Sequence, residues 1–404
     1  MSVQDETQAQ SVASGIRAIP RSVVALGFVS MFMDISSEII HSLLPVFLLT
    51  VLGASALSVG FIEGIAEATS QIAKLFSGAV SDWIGKRKPL VLAGYGLSAL
   101  TKPLFPLASG VGVVVAARFI DRIGKGIRGA PRDALIGDVT PVEWRGTAFG
   151  LRQAMDTVGA FIGPLLAMLL MAASNDNFRL VFWVAVLPGI VAVLLIFYGV
   201  QEPDLPRAAE RKRFPIRRAE LERLDGAYWW LTGIATTFTF GRFSEAFLLL
   251  AAEHVGLAIA LIPGVLVIMN IVYAASAYPF GRLSDVVSRK LLLMVGVGFL
   301  IGADIILATA GTPWQVGAGV VLWGLHMGAT QGLLSALVVD DAPADLRGTA
   351  LGMYNLITGV ALLVASVLAG WLWMAFNPAA TFIVGGAFAS IALLGLLFWQ
   401  SERK

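Results

Sequence analysis

Long apolar runs, separated by short polar segments, make up most of this chain. Twelve of these runs are long enough to cross a bilayer as helices, which takes about 20 residues each. A β-barrel would instead need alternating strands of about ten residues. The pattern therefore predicts an all-α integral membrane protein with twelve transmembrane helices. The runs lie near residues 22–50, 56–80, 89–108, 112–138, 147–172, 178–199, 228–252, 259–281, 291–310, 314–339, 350–375 and 379–399.

One long polar stretch interrupts the apolar runs and has six of them on each side. Its basic residues, such as Arg207 and Arg213, indicate a loop outside the membrane. We therefore expect two six-helix bundles joined by this loop. The expected parts are a tail at residues 1–20, a bundle at 21–199, a linker at 200–227, a bundle at 228–399 and a tail at 400–404.

Basic residues in the loops collect on one face of the predicted bundles. Lys86, Lys88, Arg145 and Arg347 belong to this face. Because Lys and Arg are retained on the cytoplasmic side of a membrane, we expect both termini to be cytoplasmic. The first twenty residues lack the apolar core of a signal peptide, so we expect them to form a cytoplasmic tail. The expected location is the cell's inner membrane, which the chain would cross several times. Loops on the opposite face, without basic residues, are 51–57, 109–111, 311–313 and 376–378.

Composition supports a membrane protein and excludes several classes. The chain is 57% hydrophobic and 14% charged, whereas a soluble domain is typically about a quarter charged. A net charge of +2 gives no reason to expect a nucleic-acid partner. With no cysteine and three histidines, neither a bound metal nor a cofactor is expected, and a metal exporter is poorly supported. The chain has no phosphate-binding Gly-x-x-x-x-Gly-Lys-Ser/Thr loop, so neither an ATP-driven pump nor another enzyme is supported.

Two sequence motifs occur twice at nearly the same offset. The segment from Gly78 to Lys88 returns, 203 residues later, as the segment from Gly281 to Lys290. The segment from Arg145 to Gly150 returns as the segment from Arg347 to Gly352, 202 residues later. Two independent matches indicate a duplicated unit, and therefore two pseudo-symmetric bundles with a substrate site between them.

The first motif has a physical explanation in its own residues. Gly78 permits close helix approach, Gly85 permits a tight turn, and Asp82 can accept backbone N–H groups at a nearby helix start. The basic residues Lys86 and Arg87 then hold the loop inside the cell. A charged tight turn with no further role is the alternative for a single copy.

Two copies in register within twelve spans resemble transporters of the major facilitator superfamily, over residues 20–400. The resemblance implies that two halves alternate access to a site between them, and that the motif closes one membrane face. It assigns this gate to Gly78, Asp82, Gly85, Lys86, Arg87, Asp285 and Arg289. The second copy departs from the pattern because Ser288 replaces the turn glycine. Asp138 resembles the acidic end of the family's fourth helix and would pair with the basic cluster at 86–88.

Two further elements of this family have partial matches. Gly159, Gly163 and Pro164 in the fifth span are similar to a Gly-x-x-x-Gly-Pro element typical of proton-coupled exporters, although Leu165 to Ala167 replace later glycines. The alternative is a helix-packing face with a proline kink. In the fourth span, the family's Arg-x-x-Gln-Gly element places its arginine at either Arg118 or Arg122.

Ionisable residues inside the predicted spans are candidate functional groups. Each costs at least about 2.5–3.5 kcal/mol at the bilayer centre unless it is paired or hydrated. At about 1.5 Å per residue, Asp34, Glu67, Arg122 and Asp156 lie near mid-depth. Glu38 shares the helix face of Asp34. A low-dielectric site favours a protonated carboxyl group. We therefore expect the four acids to carry protons; they are Asp34, Glu38, Glu67 and Asp156. The alternative is that these acids form purely structural ion pairs.

The substrate site is predicted from depth and charge. Arg122 or Arg118 would discharge an acid when substrate leaves, or would bind an anionic substrate group. Phe240, Trp323 and Tyr354 lie at a depth suitable for an apolar cavity wall. The leading hypothesis is a monomeric carrier for proton-coupled export of a small drug-like or toxic compound. The alternative is a carrier for a small organic or phosphorylated anion bound by the fourth-span arginines; a membrane sensor is disfavoured.

Overall fold

The computed structural model describes residues 20–84, 86–141, 144–202, 221–284, 286–343 and 346–399. This described part contains fourteen α-helices that form twelve antiparallel spans, which confirms the predicted fold class. The first span consists of Arg21–His41 and Leu44–Thr50, and the seventh of Gly226–Gly241 and Ala246–His254. The others are Ala56–Ile84, Lys88–Thr101, Val111–Val139, Arg145–Ala173, Phe178–Gly199, Gly264–Leu283, Arg289–Ala308, Pro313–Asp341, Arg347–Ala375 and Pro378–Phe398.

Hydropathy alone identifies only part of this set. Within the described residues, seven spans are long and apolar enough to cross a membrane by length and composition. The fourth span is outside this group because ionisable side chains, from Arg118 to Asp138, interrupt its apolar sequence. Such a span is acceptable in a bilayer only when neighbouring spans cover its charged face.

Loops alternate between two faces of the bundle. We call the face that holds residues 20 and 399 the terminal face, and the other the far face. At the terminal face, Ser22 accepts a hydrogen bond from the backbone of Gln201 at 3.2 Å. At the far face, Arg179 donates to the carbonyl of Pro106 at 2.8 Å. These bonds tie the ends of neighbouring spans together at both faces.

The two halves repeat one pattern of neighbours. In the first half, the first span packs against the fifth and sixth, and the fourth packs against the second and third. In the second half, the seventh span packs against the eleventh and twelfth, and the tenth packs against the eighth and ninth. Each helix therefore has the same neighbours as its counterpart six spans later. The predicted pseudo-symmetry of the two six-helix bundles is confirmed.

Contacts between the halves are most extensive along the second and eleventh spans. Near the far face, a Cβ atom at Gly370 would lie 2.8 Å from Leu57 Cα. Toward the terminal face, a Cβ atom at Gly352 would lie 2.9 Å from Leu75 Cδ1. Glycines of the eleventh span thus let the two helices approach closely over much of their length.

The far face is closed by two further pairs of spans. The fifth and eighth spans meet there, with the Cβ position of Gly264 only 3.6 Å from Met168 Sδ. Deeper along the same pair, Asn270 donates to the carbonyl of Ala160 at 3.2 Å. The short helices Leu44–Thr50 and Ala246–His254 also contact each other. Three pairs of spans therefore join the halves at this face.

The glycines of the fifth span bring it against the acidic face of the first. A Cβ atom at Gly159 would lie 3.0 Å from Asp34 Cβ, and one at Gly163 would lie 2.6 Å from Glu38 Cβ. Pro164 follows within the same unbroken helix. Helix packing therefore accounts for both glycines of the exporter-like element without assigning them a direct role in transport.

Substitution of two glycines in the fifth span tests this packing. Gly163→Ala adds a methyl group next to Glu38, and such overpacking costs about 1–3 kcal/mol, so we expect a lower melting temperature. Gly150→Ala is the matched control because no atom lies within 4 Å of its Cβ position. Thermal unfolding of the purified variants in detergent measures the effect. Equal melting temperatures for both variants would contradict the packing argument.

Candidate functional site

A polar cavity of about 240 Å³ lies between the two halves. It is positioned where the first span breaks after His41 and the seventh breaks after Gly241. The two breaks occupy equivalent places in the repeat. We call this the central cavity; its lining residues are Glu38, His41, Glu63, Glu67, Arg122, Lys125, Ala160, Arg242, Phe243, Ser244, Glu245, Leu266, Asn270 and Leu362.

The breaks have different local causes. In the first span, Pro45 stands in the first turn of the second short helix, and proline has no backbone N–H to continue a helix. In the seventh span, Arg242 adopts a non-helical conformation with φ −105° and ψ 60° after Gly241. Because a broken helix leaves backbone polar groups without helical partners, such breaks are tolerated in a membrane where they line a cavity.

Four side chains form a charged chain that runs from one wall of the central cavity into the first half. Arg118 donates two hydrogen bonds to Glu63, at 3.2 and 2.7 Å. His41 Nε2 lies 3.4 Å from Glu63 Oε2, and His41 Nδ1 lies 3.3 Å from Glu38 Oε2. The chain therefore joins the first, second and fourth spans. Because Arg118 is only 2% exposed and bound at two atoms, it serves as a buried counter-charge to Glu63.

A second pair on this wall is more open. Arg122 Nη1 lies 3.3 Å from Glu67 Oε1, and about a third of the Glu67 side chain, 32%, is exposed. Arg122 Nε is buried and makes no hydrogen bond within the described residues. The guanidinium of Arg122 therefore keeps one buried donor without a partner.

Three charged groups face the central cavity without an ion-pair partner. Lys125 belongs to the fourth span, whereas Arg242 and Glu245 belong to the break in the seventh. Among the described residues, none of the three has an opposite charge within 4 Å. Unpaired charges from both halves thus meet across one small volume.

Other charged side chains of the first half interact with residues of the same half. Lys102 lies 3.0 Å from Asp121, and both are almost fully buried. Arg128 stacks over the ring of Tyr95 at 4.5 Å. These contacts lie outside the central cavity lining. They fit the alternative stated from the sequence, that several charges of this half are structural pairs.

The four predicted proton carriers occupy two levels. Glu38 and Glu67 line the central cavity, whereas Asp34 and Asp156 do not. Asp156 accepts a 2.7 Å hydrogen bond from Arg152. Asp34 lies one helical turn before Glu38, on the terminal-face side, and has no ion-pair partner in the described part of the chain. Their assignment as proton carriers stays a prediction.

The predicted gate lies at the terminal face. Arg87 Nε is 3.2 Å from Asp138 Oδ2, and the carboxylate of Glu202 accepts the backbone N–H groups of Arg87 and Lys88, each at 2.6 Å. Lys86 is exposed beside them, and Arg289 begins the ninth span. The role of these residues as a gate stays a prediction. The described residues do not include Gly85 and Asp285. For Gly78 and Asp82, only the backbone is described.

The three predicted aromatic residues do not line the central cavity. Trp323 is fully buried and its ring centre lies 5.7 Å from that of Phe243. Phe240 packs on Phe388 at 5.0 Å, and Tyr354 is 9% exposed. Depth along the sequence places a residue at the right level but does not specify which side of the helix faces the cavity. These side chains pack within the second half instead.

Sequence reasoning underestimated several cavity residues. His41, Glu63 and Lys125 lie three or four positions from the proposed residues Glu38, Glu67 and Arg122, on the same helix faces, but were not themselves proposed. Arg242 and Glu245 were also left out, although they form a polar interruption within an otherwise apolar run. That interruption lies about one repeat length after His41. Comparing the polar positions of the two repeats would therefore have indicated both walls of the cavity.

Known proteins with similar sequences are membrane transporters. The family model described as Major Facilitator Superfamily matches residues 26–361 and 247–404. An uncharacterized MFS-type transporter of Methanocaldococcus jannaschii is 32% identical, over 95% of this chain and 96% of that protein. The inner membrane transport protein YajR of Escherichia coli is 26% identical, over 92% of this chain and 80% of its own length.

A solved structure supports the same fold. The crystal structure of the nucleoside transporter NupG superposes with a TM-score of 0.79 and covers 93% of this chain and 98% of its own. Only 12% of the residues are identical, so this likeness concerns the fold alone. From the family model, the similar sequences and the shared fold, we conclude that this chain belongs to the major facilitator superfamily of transporters.

Proposed function

We propose that this chain is a proton-coupled secondary transporter for a small organic anion or zwitterion, moved by alternating access. The observation that carries the proposal is the central cavity, where Lys125 of the first half and Arg242 of the second face one volume and neither has an acidic group within 4 Å among the described residues. Carriers built from two repeated halves bind substrate between them near the middle of the membrane. A carboxylate or phosphate group between these two cations would link the halves.

The lining of the central cavity favours this substrate class over a drug-like amphiphile. Its volume of about 240 Å³ is below the roughly 300–1,000 Å³ of sites for drug-sized ligands, whose walls are mostly apolar and aromatic. Phe243 is the one aromatic residue among the described lining residues. The anion hypothesis therefore replaces drug export as our leading proposal, with Lys125 and Arg242 as anion ligands in place of Arg118.

Arg122 and Glu67 provide a route for coupling. In this structure, Arg122 neutralises Glu67 at 3.3 Å. An anion that draws Arg122 away leaves Glu67 without its counter-charge in a low-dielectric site, which favours protonation of the carboxylate. Solute and proton would then bind together. This order favours symport, whereas the exporter-like glycines, which support antiport, have an explanation in helix packing.

The proposed orientation places the terminal face in the cytoplasm, together with both termini. Lys86, Lys88 and Arg145 occupy this face, in agreement with retention of basic loops on the cytoplasmic side. The state described here would then be closed toward the outside. A monomer suffices for transport, because one chain supplies both walls of the central cavity.

Binding measurements test the substrate class. We expect small carboxylates or phosphates to raise the melting temperature of the purified protein, and neutral solutes and amphiphilic cations to leave it unchanged. Lys125→Ala and Arg242→Ala should each weaken anion binding about tenfold or more, because a hydrogen bond to a charged group contributes about 1.5–3 kcal/mol. Arg21→Ala, which removes an exposed charge at the terminal face, is the control. Tight binding of amphiphilic cations that survives both cavity substitutions would overturn the proposal.

Flux in proteoliposomes tests the coupling residue. With an imposed pH gradient, Glu67→Gln should abolish accumulation of the bound anion, because a neutral amide cannot exchange a proton. Exchange of labelled for unlabelled anion should persist, since it needs no net proton movement. Glu253→Gln, at the far face, is the control for loss of a carboxylate. Full gradient-driven accumulation by Glu67→Gln would rule out this coupling scheme.

A disulfide between the halves tests alternating access. The native chain has no cysteine, so the double variant Met168→Cys with Gly264→Cys offers a single pair of thiols, at positions in contact across the fifth and eighth spans. Oxidation should lock the far face closed and reduce transport to background, and a reductant should restore it. Each single variant should be insensitive to oxidation. Undiminished transport by fully cross-linked protein would show that the far face need not open.

A further inference from the structure

The second half contains a buried carboxyl group that the proposed coupling does not use. Asp304 of the ninth span has no exposed surface, and neither of its carboxylate oxygens has a hydrogen-bond partner within the described residues. Burying an ionised carboxylate without a partner would cost tens of kcal/mol by an idealised solvation estimate. The group must therefore hold a proton, or bind a cation, when the protein is in this state.

Among the described residues, the helices around Asp304 supply no counter-charge. The twelfth span, Pro378–Phe398, has no ionisable residue and presents two glycines; a Cβ atom at Gly385 would lie 3.2 Å from Asp304 Oδ2. The tenth span contributes His326 to the same core, and its Nε2 atom is also without a partner. The other described ionisable groups of the ninth and tenth spans, Arg289, Lys290 and Asp341, lie at the terminal face, more than two helical turns away.

The seventh span also packs in this region, since the Cβ position of Gly385 lies 3.3 Å from the carbonyl oxygen of Gly241. Its acidic and basic groups are Arg242 and Glu245, which face the central cavity, and Glu253 and His254 at the far face. No ion pair joins Asp304 to any of them in the described part of the chain. A proton is thus the cation that requires no further ligands at this position.

A second cavity leads toward Asp304 from the far face. It has a volume of about 170 Å³ and is lined by Leu307, Ala308, His254, Phe382 and neighbouring residues. Leu307 and Ala308 follow Asp304 by three and four positions, so all three share one side of the helix. We call this the far-face pocket. Its lining begins one helical turn after Asp304 along the ninth span.

We propose that Asp304 is a second proton-binding site, located in the second half and loaded through the far-face pocket. In the state with the far face closed, the carboxyl group is dry and neutral. Opening of that face admits water through the pocket, and the group then exchanges its proton with the outside. Its contribution to driving transport rests on the proton coupling proposed above, whereas its protonation stands independently.

Infrared spectroscopy of the purified, substrate-free protein tests the protonation. The carboxylic acid C=O band should lose the intensity of one group in Asp304→Asn, whose amide resembles a neutral carboxyl in shape. Asp176→Asn, an exposed far-face residue, should leave the band unchanged. Asp304→Glu, which keeps the acid but shifts its band, replaces the amide variant if that one does not fold. An unchanged acid band in both Asp304 variants would overturn the site.

Hydrogen–deuterium exchange of the same band tests the access route. Ala308→Cys, labelled with a bulky membrane-impermeant thiol reagent, should slow exchange of the Asp304 proton into D₂O at least tenfold. Thr309→Cys, the exposed neighbour outside the pocket lining, should leave the rate unchanged after labelling. Equal rates for the two labelled variants would overturn loading through the pocket. Transport that ignores a pH gradient would instead contradict the proposed coupling and leave this proton site intact.

Discussion

The cost of an ionised group in hydrocarbon determines how this protein is organised. The fourth span alone contains Arg118, Arg122 and Lys125, which no isolated helix could present to lipid at an acceptable cost. The acidic faces of the first and second spans surround it, and the resulting ion pairs hold the first half together. Some charged groups have no partner in these ion pairs. They face the central cavity, so the same constraint both stabilises the half and defines the site.

The two halves use this constraint differently. The first half distributes its charge over connected pairs, from Glu38 through His41 and Glu63 to Arg118. The second half presents Arg242 and Glu245 at one helix break and otherwise isolates Asp304 among glycines and aromatic side chains. Duplication therefore preserved the packing pattern of the helices but not the chemistry inside them. In the proposed transporter, the charged side chains of the first half would contact one another, whereas the ionisable groups of the second half would lie apart.

The sequence predicted the features that depend on length, apolar composition and repetition. Twelve spans, two halves and the family all followed from these, and each is confirmed. It did not predict features that depend on helix rotation or on local breaks. Trp323 and Tyr354 lie in the second half as expected but face its core, because residue counting fixes depth and not direction. The break at Arg242 was missed because the surrounding run is apolar enough to suggest one continuous helix.

The glycine-lined contact between the second and eleventh spans has a kinetic consequence. Because glycines such as Gly352 and Gly370 bring the two helices close together, the halves would move over this surface without first separating bulky groups at those positions. The barrier to switching would then come chiefly from breaking polar contacts such as the bond between Asn270 and Ala160. The turnover rate should accordingly depend more on the dielectric constant around these polar contacts, and on bound solute, than on packing between the apolar surfaces of the two halves.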